Sequence, residues 1–442
     1  MRKVALHNLG CKVNAYETEA MRQSLEEFGY EIVSFNEKAD IYIINTCTVT
    51  NIADRKSRQM LHRAKKMNPE AIVVAVGCYV QAAGEELKKD EAIDIIVGNN
   101  NKSDIVTILE EYYKSESNHT YLEDISKGCD YDEMKMTTIG EHTRAFVKIQ
   151  DGCNQFCTYC IIPYARGRIR SRSLSDLKGE LEKLAQCGYK EVVLTGIHLS
   201  SYGKDLSTEE NKITLMDAIN VADEVKGIEC IRLGSLEPGI ITDEFLLQLK
   251  DMKKFCPHFH LSLQSGCDDT LKRMNRHYTT KEYLDRCEKI RKVFAKAAIT
   301  TDVIVGFPGE TEEEFSKTEE FLTEVAFAEM HIFKYSKRQG TKAAAMENQI
   351  KEEIKIVRSD KLISLGESLR EKYVKSFVNE DVKVLVEEET QIDGEIYLVG
   401  HTKEYTKVVF KGDEKLINEI VDVHTIETIK NEILLAKMKE MY

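Results

Sequence analysis

The chain has 442 residues, of which 42% are hydrophobic and 31% charged, and its formal net charge is −13. This length allows two or three domains, and the composition excludes a fibrous or a disordered protein. The acidic balance argues against a nucleic-acid partner bound over the whole surface, although local basic clusters can override an average. No apolar run approaches the ~18–20 residues of a membrane span, and the N-terminus does not resemble a secretory signal. We therefore expect a cytoplasmic protein with no membrane partner.

The first block, residues 1–125, alternates apolar runs with charged, helical stretches. Strands that alternate with helices predict an α/β domain with an open, mostly parallel sheet. The stretch 115–141 is polar and poorly periodic, and it is predicted to be a linker. The predicted strands are Lys3–His7, Ile41–Asn45, Ile72–Val76 and Ile93–Val97.

The second block, residues 139–373, repeats this alternation. Its six strands, separated by helical patterns such as Leu174–Cys187, predict a partial (β/α)6 barrel. Reactive groups in such a barrel lie at the carboxyl ends of the strands. The predicted strands are Ala145–Gln150, Glu191–Leu194, Ile228–Leu233, His258–Leu263, Thr300–Val305 and Glu329–Phe333.

The third block, residues 374–440, changes to short strands at regular spacing. This pattern predicts a small β-barrel, similar in style to OB folds. The predicted strands are Val382–Glu387, Ile396–His401, Lys407–Phe410 and Ile420–Ile426.

Three of the twelve cysteines, Cys153, Cys157 and Cys160, follow a predicted strand at a spacing of three residues and then two. Clustered cysteines in a reducing compartment indicate metal or redox chemistry rather than disulfides. Zinc sites and ferredoxins supply four ligands, and no fourth cysteine follows here. Three thiolates on one loop would leave one iron of a cubane cluster open to a substrate. Six other cysteines have no partners at ligand spacing and are predicted to be small buried hydrophobic residues: Cys129, Cys187, Cys230, Cys256, Cys267 and Cys287.

The segment IQDGCNQFCTYCIIPYARGR, residues 149–168, resembles the radical S-adenosylmethionine superfamily, and its flanks resemble the methylthiotransferase family within it. The resemblance covers essentially the whole chain. It implies an N-terminal methylthiotransferase domain (1–125), a radical core (139–373) and a C-terminal RNA-binding domain of the TRAM type (374–440). It also implies that the three cysteines bind a 4Fe-4S cluster, which cleaves S-adenosylmethionine.

The N-terminal block holds Cys11 in NLGCKVNAYE, Cys47 in INTCTVTN and Cys78 in VGCYVQ, each after an apolar run. Parallel strands would place them at the same edge of the sheet. Without a family pattern, three separated cysteines are more often core residues than ligands. The resemblance makes them the ligands of an auxiliary 4Fe-4S cluster, which carries the sulfur to be transferred. An external one-electron donor and a sulfur donor are then implied as partners.

The resemblance also implies a set of contacts to S-adenosylmethionine at the strand ends of the barrel. Each of these segments, taken alone, also fits an ordinary turn after a strand. The implied contacts are Tyr159, Thr195, Gly196, Ser235, Glu237, Gln264, Asp302 and Gly306.

Four arginines lie just after the cysteine loop and are candidates for binding the phosphates of tRNA: Arg166, Arg168, Arg170 and Arg172. The plainer alternative is a solvated loop face. In the family the target is an adenosine at position 37 of the tRNA anticodon loop, or an aspartate of a ribosomal protein. Single-stranded bases of such a loop can be turned into a pocket.

The phrases GCKVNAYETEA and NTCTVTNIADRKSRQ look most like the class that methylthiolates C2 of N6-threonylcarbamoyladenosine, with a departure at Ala15, where glutamine is common. The isopentenyladenosine class and the ribosomal-protein class remain alternatives of the same chemistry. A non-catalytic iron–sulfur scaffold that binds RNA is the alternative from a different class.

Overall fold

The computed structural model describes residues 1–114, 119–136, 143–430 and 432–439. The predicted start of the second block at 139 and the predicted end of the third at 440 lie outside these residues. No helix among the described residues is both long and apolar enough to cross a bilayer.

The N-terminal block is a six-stranded parallel sheet of order β2-β1-β3-β4-β5-β6, flanked by helices. Every residue of β3 and β4 is buried, as expected for central strands covered on both faces. The prediction of an open parallel sheet is confirmed. Its elements are β1 Lys3–Asn8, α1 Lys12–Glu27, β2 Glu31–Ile32, β3 Ile41–Thr46, α2 Asn51–Met67, β4 Ile72–Gly77, α3 Cys78–Ala83, β5 Ile95–Val97, α4 Ile105–Lys114 and β6 Thr120–Tyr121.

The described part of the predicted linker is not featureless. It contributes β6 to the edge of the sheet and then a short 3-10 helix, Ile125–Lys127. Beyond that helix, Met134 and Met136 are buried in the core shared by the first two blocks.

The central block is a partial barrel, which confirms the prediction. Strands β7, β9 and β10 pair in parallel, as do β11, β12 and β13, and β8 lies antiparallel at one edge. Bridges from Ile231 to Phe255 and from Leu236 to Leu261 join the two sheets. The elements are β7 Arg144–Asp151, α5 Ile162–Arg166, β8 Arg170–Ser171, α6 Leu174–Gln186, β9 Glu191–Gly196, α7 Leu215–Glu224, β10 Cys230–Leu233, α8 Asp243–Asp251, β11 His258–His260, α9 Asp268–Arg273, α10 Thr280–Val293, β12 Ala298–Val305, α11 Glu312–Val325, β13 Glu329–Lys334 and α12 Glu352–Lys375.

Alternation along the strands decides which side chains face the interior of the barrel. On β12, Val303 and Val305 belong to the main hydrophobic core beneath the outer helices. Successive strand residues point to opposite faces, so Asp302 faces the interior. The same alternation on the neighbouring strands places three further side chains in the interior: Arg232, His260 and His331.

The C-terminal block closes into a five-stranded barrel of order β14-β15-β16-β18-β17, in agreement with the predicted small β-barrel. Its interior is a separate apolar cluster that includes Val384, Phe410 and Val423. The long helix α12 leads into it, since α12 ends only six residues before β14 begins. The strands are β14 Asp381–Ile392, β15 Glu395–His401, β16 Lys407–Phe410, β17 Ile420–Ile429 and β18 Ile433–Met438.

Candidate functional site

The loop that follows β7 carries Cys153, Cys157 and Cys160. It leaves the strand through Gly152, whose φ is +69° and whose added Cβ would lie 1.8 Å from the carbonyl oxygen of Arg168. Only glycine allows this approach of backbone to backbone. The loop then closes on itself, because the Cys160 N–H donates to the Cys157 carbonyl at 3.0 Å.

These three thiols lie close enough to influence one another's ionisation. Burial, and then the neighbouring Cys157, raise the pKa of Cys160 to about 12. Burial raises the pKa of Cys153 to about 11. Both are therefore neutral thiols at pH 7 unless a bound cation stabilises the thiolates. A set of three such donors fits an iron–sulfur cluster that keeps one iron open.

A second trio of cysteines lies at the carboxyl edge of the N-terminal sheet. Cys11 follows β1, Cys47 follows β3 and Cys78 opens α3 directly after β4, and these three strands are neighbours in the sheet. The first two loops touch: a Cβ added to Gly10 would lie 3.0 Å from Cys47 Cβ and 3.2 Å from its Sγ. The structure thus brings together three cysteines, of which the first and the last are 67 residues apart in sequence.

Polar groups contact this N-terminal trio from the central barrel as well as from its own block. Arg166 Nε donates to Cys78 Sγ at 3.2 Å, and Asn99 Nδ2 donates to the same sulfur at 3.7 Å. Burial raises the pKa of Cys47 to about 11. Burial also raises the pKa of Cys11, although part of this residue is exposed. This donor set fits a second cluster for the same reason as the first.

A network of polar side chains covers the loop of Cys153 at the ends of β9 and β10. Arg276 donates to the Glu237 carboxylate at 2.6 and 2.7 Å and to Cys157 Sγ at 3.2 Å. Glu237 Oε1 lies 3.8 Å from His198 Nε2, which is also 3.3 Å from Gln155 Nε2. A cavity of about 550 Å³ opens beside these groups, a size suited to a small-molecule cofactor.

Thr195 and Gly196 end β9 on this side of the barrel. Gly196 lies against Gln150, whose Cβ would be 2.9 Å from an added Cβ. Gln150 Oε1 in turn accepts from the His198 N–H at 2.6 Å. Ser235, two residues before Glu237, is exposed at the mouth.

The remaining predicted cofactor contacts lie on the opposite wall, after β11 and along β12. Gln264 has a φ of +72° and bridges to β12 through its backbone, donating to the Asp302 carbonyl at 2.9 Å. Gly306 has a φ of +70°, and an added Cβ would lie 2.3 Å from Lys355 Cγ. Tyr159 packs with Phe307 and Tyr335 in a small apolar cluster beside these segments.

Three side chains of this network, Arg276, His198 and Gln155, were not predicted from the sequence. Gln155 lies inside the segment IQDGCNQFCTYCIIPYARGR, and His198 lies two residues after the predicted contact Gly196, but neither side chain was predicted. Arg276 lies in MNRHYT, which carries no recognisable motif. Its contact with Cys157 spans 119 residues and is invisible in a local pattern.

The phosphate-binding prediction is wrong for Arg166, Arg170 and Arg172, which are 0%, 4% and 1% exposed. Arg166 and Arg170 pair with Asp151, and Arg172 pairs with Asp176 and Glu180, inside the protein. Buried guanidiniums that already have carboxylate partners are not accessible to a phosphate. Arg168 alone is exposed, with its guanidinium 4.7 Å from the Phe156 ring centroid.

The interior of the barrel is polar and charged next to the N-terminal trio. His260 Nε2 lies 3.4 Å from the Asp302 carboxylate, and the rings of His260 and His331 stack at 6.0 Å. Lys12, directly after Cys11, interacts electrostatically with both Asp302 and Arg232. Burial, and then Arg232 and Arg144, lower the pKa of Lys12.

Comparisons with known proteins agree with this architecture. Residues 3–98 match the model of an uncharacterized protein family, UPF0004, and residues 147–322 match that of the radical SAM superfamily. The chain is 43% identical to the threonylcarbamoyladenosine tRNA methylthiotransferase MtaB of Bacillus subtilis, over 97% of this chain and 94% of that protein. It is 38% identical to a tRNA-2-methylthio-N(6)-dimethylallyladenosine synthase of Clostridium tetani, over 95% of this chain and 93% of the other.

Among solved structures, the radical S-adenosylmethionine methyltransferase TsrM from Kitasatospora setae shares the fold, with a TM-score of 0.55 and 14% identity over 75% of this chain and 73% of that one. A cysteine loop of this spacing on a partial barrel defines a radical S-adenosylmethionine enzyme, which uses a 4Fe-4S cluster and S-adenosylmethionine. Within that class, the chain belongs to the methylthiotransferase family.

Proposed function

We propose that the protein methylthiolates C2 of N6-threonylcarbamoyladenosine at position 37 of tRNA, next to the anticodon. Its relatives from Bacillus subtilis and Aquifex aeolicus, at 43% and 41% identity, are named for this substrate. Other relatives at 36–38% identity are named for dimethylallyladenosine.

The observation that carries the choice is the charge in the barrel interior. The threonylcarbamoyl group bears a carboxylate, whereas the isopentenyl group is purely apolar. His260, which is partly buried, and His331, which is exposed, present ring nitrogens on the interior face, and an apolar substituent offers these nitrogens no hydrogen-bond partner. The threonyl hydroxyl and carboxylate would satisfy such groups.

Lys12 supplies the cation for that carboxylate. Burial and the nearby Arg232 and Arg144 disfavour its charge, so a bound anion would relieve a repulsion that is already present. Lys12 adjoins Cys11, so an anionic substituent held by Lys12 would place its base beside the N-terminal trio. The sulfur must reach the base at this point.

We assign an auxiliary 4Fe-4S cluster to Cys11, Cys47 and Cys78, and the radical cluster to Cys153, Cys157 and Cys160. When they are bound, the radical cluster supplies the electron that cleaves S-adenosylmethionine, and the auxiliary cluster supplies the sulfur. An external reductant and a sulfur donor are required for repeated turnover. The contacts to S-adenosylmethionine are Tyr159, Thr195, Gly196, Ser235, Glu237, Gln264, Asp302 and Gly306.

The exposed face of α2 is the surface we assign to the tRNA backbone, together with Arg168. The helix begins four residues after Cys47, and its buried face is narrow, since it consists of Ser57, Leu61 and Ala64. A basic helix beside the site would hold phosphates near the anticodon loop, through charge rather than sequence. The basic residues exposed on it are Arg55, Lys56, Arg58, Arg63 and Lys66.

The experiment is nucleoside mass spectrometry on tRNA incubated anaerobically with reconstituted protein, reductant and S-adenosylmethionine. Transcripts that bear threonylcarbamoyladenosine should gain the methylthio mass, whereas those that bear isopentenyladenosine should not. Methylthiolation of the isopentenyl tRNA alone would overturn the assignment of threonylcarbamoyladenosine as the substrate. Modification of neither tRNA, with S-adenosylmethionine still cleaved, would favour the ribosomal-protein aspartate. Absence of cleavage would favour the non-catalytic scaffold.

Lys12→Met tests the carboxylate assignment within the same assay. We expect KM for the threonylcarbamoyl tRNA to rise at least tenfold, since about 1.5–3 kcal/mol accompanies a lost hydrogen bond to a charged group. Lys56→Met on the outer face of α2 is the control, because it removes the same charge far from the interior. An equal rise of KM in the two variants would show that Lys12 acts only through general electrostatic attraction of RNA.

A further inference from the structure

Each trio of cysteines has one arginine that donates a hydrogen bond to one of its sulfurs. Arg166 Nε lies 3.2 Å from Cys78 Sγ, and Arg276 Nη1 lies 3.2 Å from Cys157 Sγ. The side chain of Arg166 is fully buried and that of Arg276 is 5% exposed. The arginine and the sulfur are 88 residues apart in the first case and 119 in the second. The fold therefore brings each donor to its sulfur from a distant segment.

Both guanidiniums are fixed by acceptors on their other nitrogens. Arg166 donates to Glu17 at 2.9 and 3.0 Å, to Asp151 at 3.0 Å and to Asn14 Oδ1 at 2.7 Å. Arg276 donates to Glu237 through Nη2, while its Nε donates to Tyr278 Oη at 3.1 Å. These anchors leave one N–H of each arginine directed at a sulfur, so the contact is preorganised rather than one rotamer among many.

The surroundings of the two arginines differ in net charge. Around Arg166, four buried cations share two carboxylates, which leaves an excess of two positive charges among the described ion pairs. Asp132, which acts on Lys148, reduces the excess to one when it is ionised, although burial raises its pKa and favours its neutral form. The six charged residues are Glu17, Lys102, Lys148, Asp151, Arg166 and Arg170. Around Cys157, by contrast, Arg276 and Glu237 form a neutral pair.

An uncompensated buried cation is costly, so the excess requires an anion nearby. Three thiolates outweigh the positive charge of an iron–sulfur core, so an occupied N-terminal trio supplies that anion. Addition of one electron makes a cluster still more negative. Hydrogen bonds to the ligand sulfurs and positive surroundings favour that state and raise the reduction potential.

We propose that Arg166 and Arg276 are positioning residues that raise the reduction potentials of the auxiliary and the radical cluster through these N–H···S contacts. The excess buried charge around Arg166 makes the auxiliary cluster the more easily reduced of the two. The electron comes from an external one-electron reductant, and no bond is formed or broken in this step. The inference rests on the two-cluster assignment made under the proposed function.

The test is a redox titration of the full-length reconstituted protein, monitored by electron paramagnetic resonance. Each cluster is followed alone in a chain whose other trio is replaced by alanine. We expect Arg276→Met to lower the ratio of reduced to oxidised radical cluster at least tenfold at a fixed potential, which is about 59 mV for one electron. Arg276→Lys keeps the positive charge but loses the fixed directions of the guanidinium N–H donors. Its reduction potential should therefore lie between those of the wild type and Arg276→Met.

Arg166→Met should shift the auxiliary cluster in the same direction and leave the radical cluster unchanged. Arg273→Met is the control for Arg276, because Arg273 is three residues away and donates to Glu314 rather than to a cysteine. Arg172→Met is the control for Arg166, because it removes a buried, paired arginine that touches no cysteine sulfur within hydrogen-bond distance among the described residues.

The outcomes separate the inference from the function on which it rests. About four irons per wild-type chain would overturn the two-cluster assignment, whatever the potentials are. About eight irons with potentials that are unchanged in Arg276→Met and Arg166→Met would overturn the role of the arginines and leave the function intact. Loss of iron in the methionine variants, with an unchanged potential in Arg276→Lys, would also overturn it, since the arginines would then act only to retain the clusters.

Discussion

Arg338 Nη2 donates to the Asp54 carboxylate at 2.7 Å, and this pair joins the segment after β13 to the first turn of α2. Arg338 also donates to Thr48 Oγ1 at 2.7 Å and to Asn51 Oδ1 at 2.6 Å. All three acceptors lie within seven residues after Cys47. The central barrel therefore holds the cysteine loop of the N-terminal sheet from outside that sheet.

We expect Arg338→Met to loosen this loop and to destabilise the docking of the two blocks by about 2–3 kcal/mol, because a nearly buried guanidinium with a carboxylate partner is lost. Hydrogen–deuterium exchange of α2 should increase. Lys361→Met is the control, since its pair with Glu319 is half-exposed and contributes at most about 1 kcal/mol. Unchanged exchange in α2 would show that the blocks are held by other contacts.

Gly152→Ala should abolish the cysteine loop, because the new Cβ would meet the Arg168 carbonyl at 1.8 Å in addition to the strain of a positive φ. Gly188→Ala is a matched control: its φ is +90° but nothing lies within 4 Å of an added Cβ. Thermal unfolding and iron content after reconstitution compare the two. We expect Gly188→Ala to cost about 1 kcal/mol and to keep its iron. Equal behaviour of the two variants would contradict the steric argument.

Replacement of Cys47, Cys11 and Cys78 by alanine should reduce the bound iron from about eight to about four per chain, and so should replacement of Cys153, Cys157 and Cys160. Cys287→Ala is the control, because Cys287 is buried in the helix α10 among core residues. It should cost about 1–2 kcal/mol of stability for the cavity and leave the iron unchanged. A full complement of iron in either triple variant would remove that trio from the set of ligands.

Glu191 lies beneath the barrel and pairs with Arg144 and with Arg232 Nε at 3.0 Å. Burial alone would raise its pKa, but Arg232 and Arg144 hold it at about 2. A carboxyl whose folded pKa is depressed stabilises the fold above its unfolded pKa near 4.5 and loses that contribution as the pH falls toward 2. The contribution is on the order of 3 kcal/mol.

Glu191→Gln should therefore destabilise the chain at pH 6 and flatten its dependence on pH between about 4.5 and 2. Urea unfolding at pH 6 and pH 3 measures both effects. The same arginines reach the C-terminal barrel, where Arg144 donates to Glu387 at 2.7 Å and Arg232 donates to the Lys403 carbonyl at 2.8 Å. The variant should thus also increase proteolysis at the junction with that barrel. Glu395→Gln, in an exposed pair with Lys411, is the control.

Buried parallel strands were predictable because they are continuous apolar runs. The prediction Ile41–Asn45 ends one residue short of β3, and Ile72–Val76 ends one short of β4. The two-residue edge strands β2 and β6 are too short to form a pattern. Strand β18, Ile433–Met438, was not predicted; it pairs antiparallel with β17 and in parallel with β16, and the second pairing closes the barrel.

The cysteines were predictable because their chemistry is tied to local segments. The arginine-rich segment ARGRIRSR was misread as a surface, because nothing in it reveals that Glu17 lies 149 residues upstream and accepts from Arg166. Lys12 was quoted inside GCKVNAYE, but its position beside Asp302 depends on how two blocks are docked. Long-range pairing between charged residues is thus the part of the site that the sequence does not disclose.

The pairing of Glu17 with Arg166 has a consequence for the order in which the protein is made. Glu17 leaves the ribosome 149 residues before Arg166 and 85 residues before Lys102. The carboxylate of Glu17 is fully buried in the folded protein. Two of its three cationic partners among the described residues, Lys148 and Arg166, are translated only with the start of the central barrel. Because an enclosed carboxylate with only part of its counter-charge is costly, we expect a chain that ends at residue 125 to be cleaved by protease faster than the same block in the whole protein.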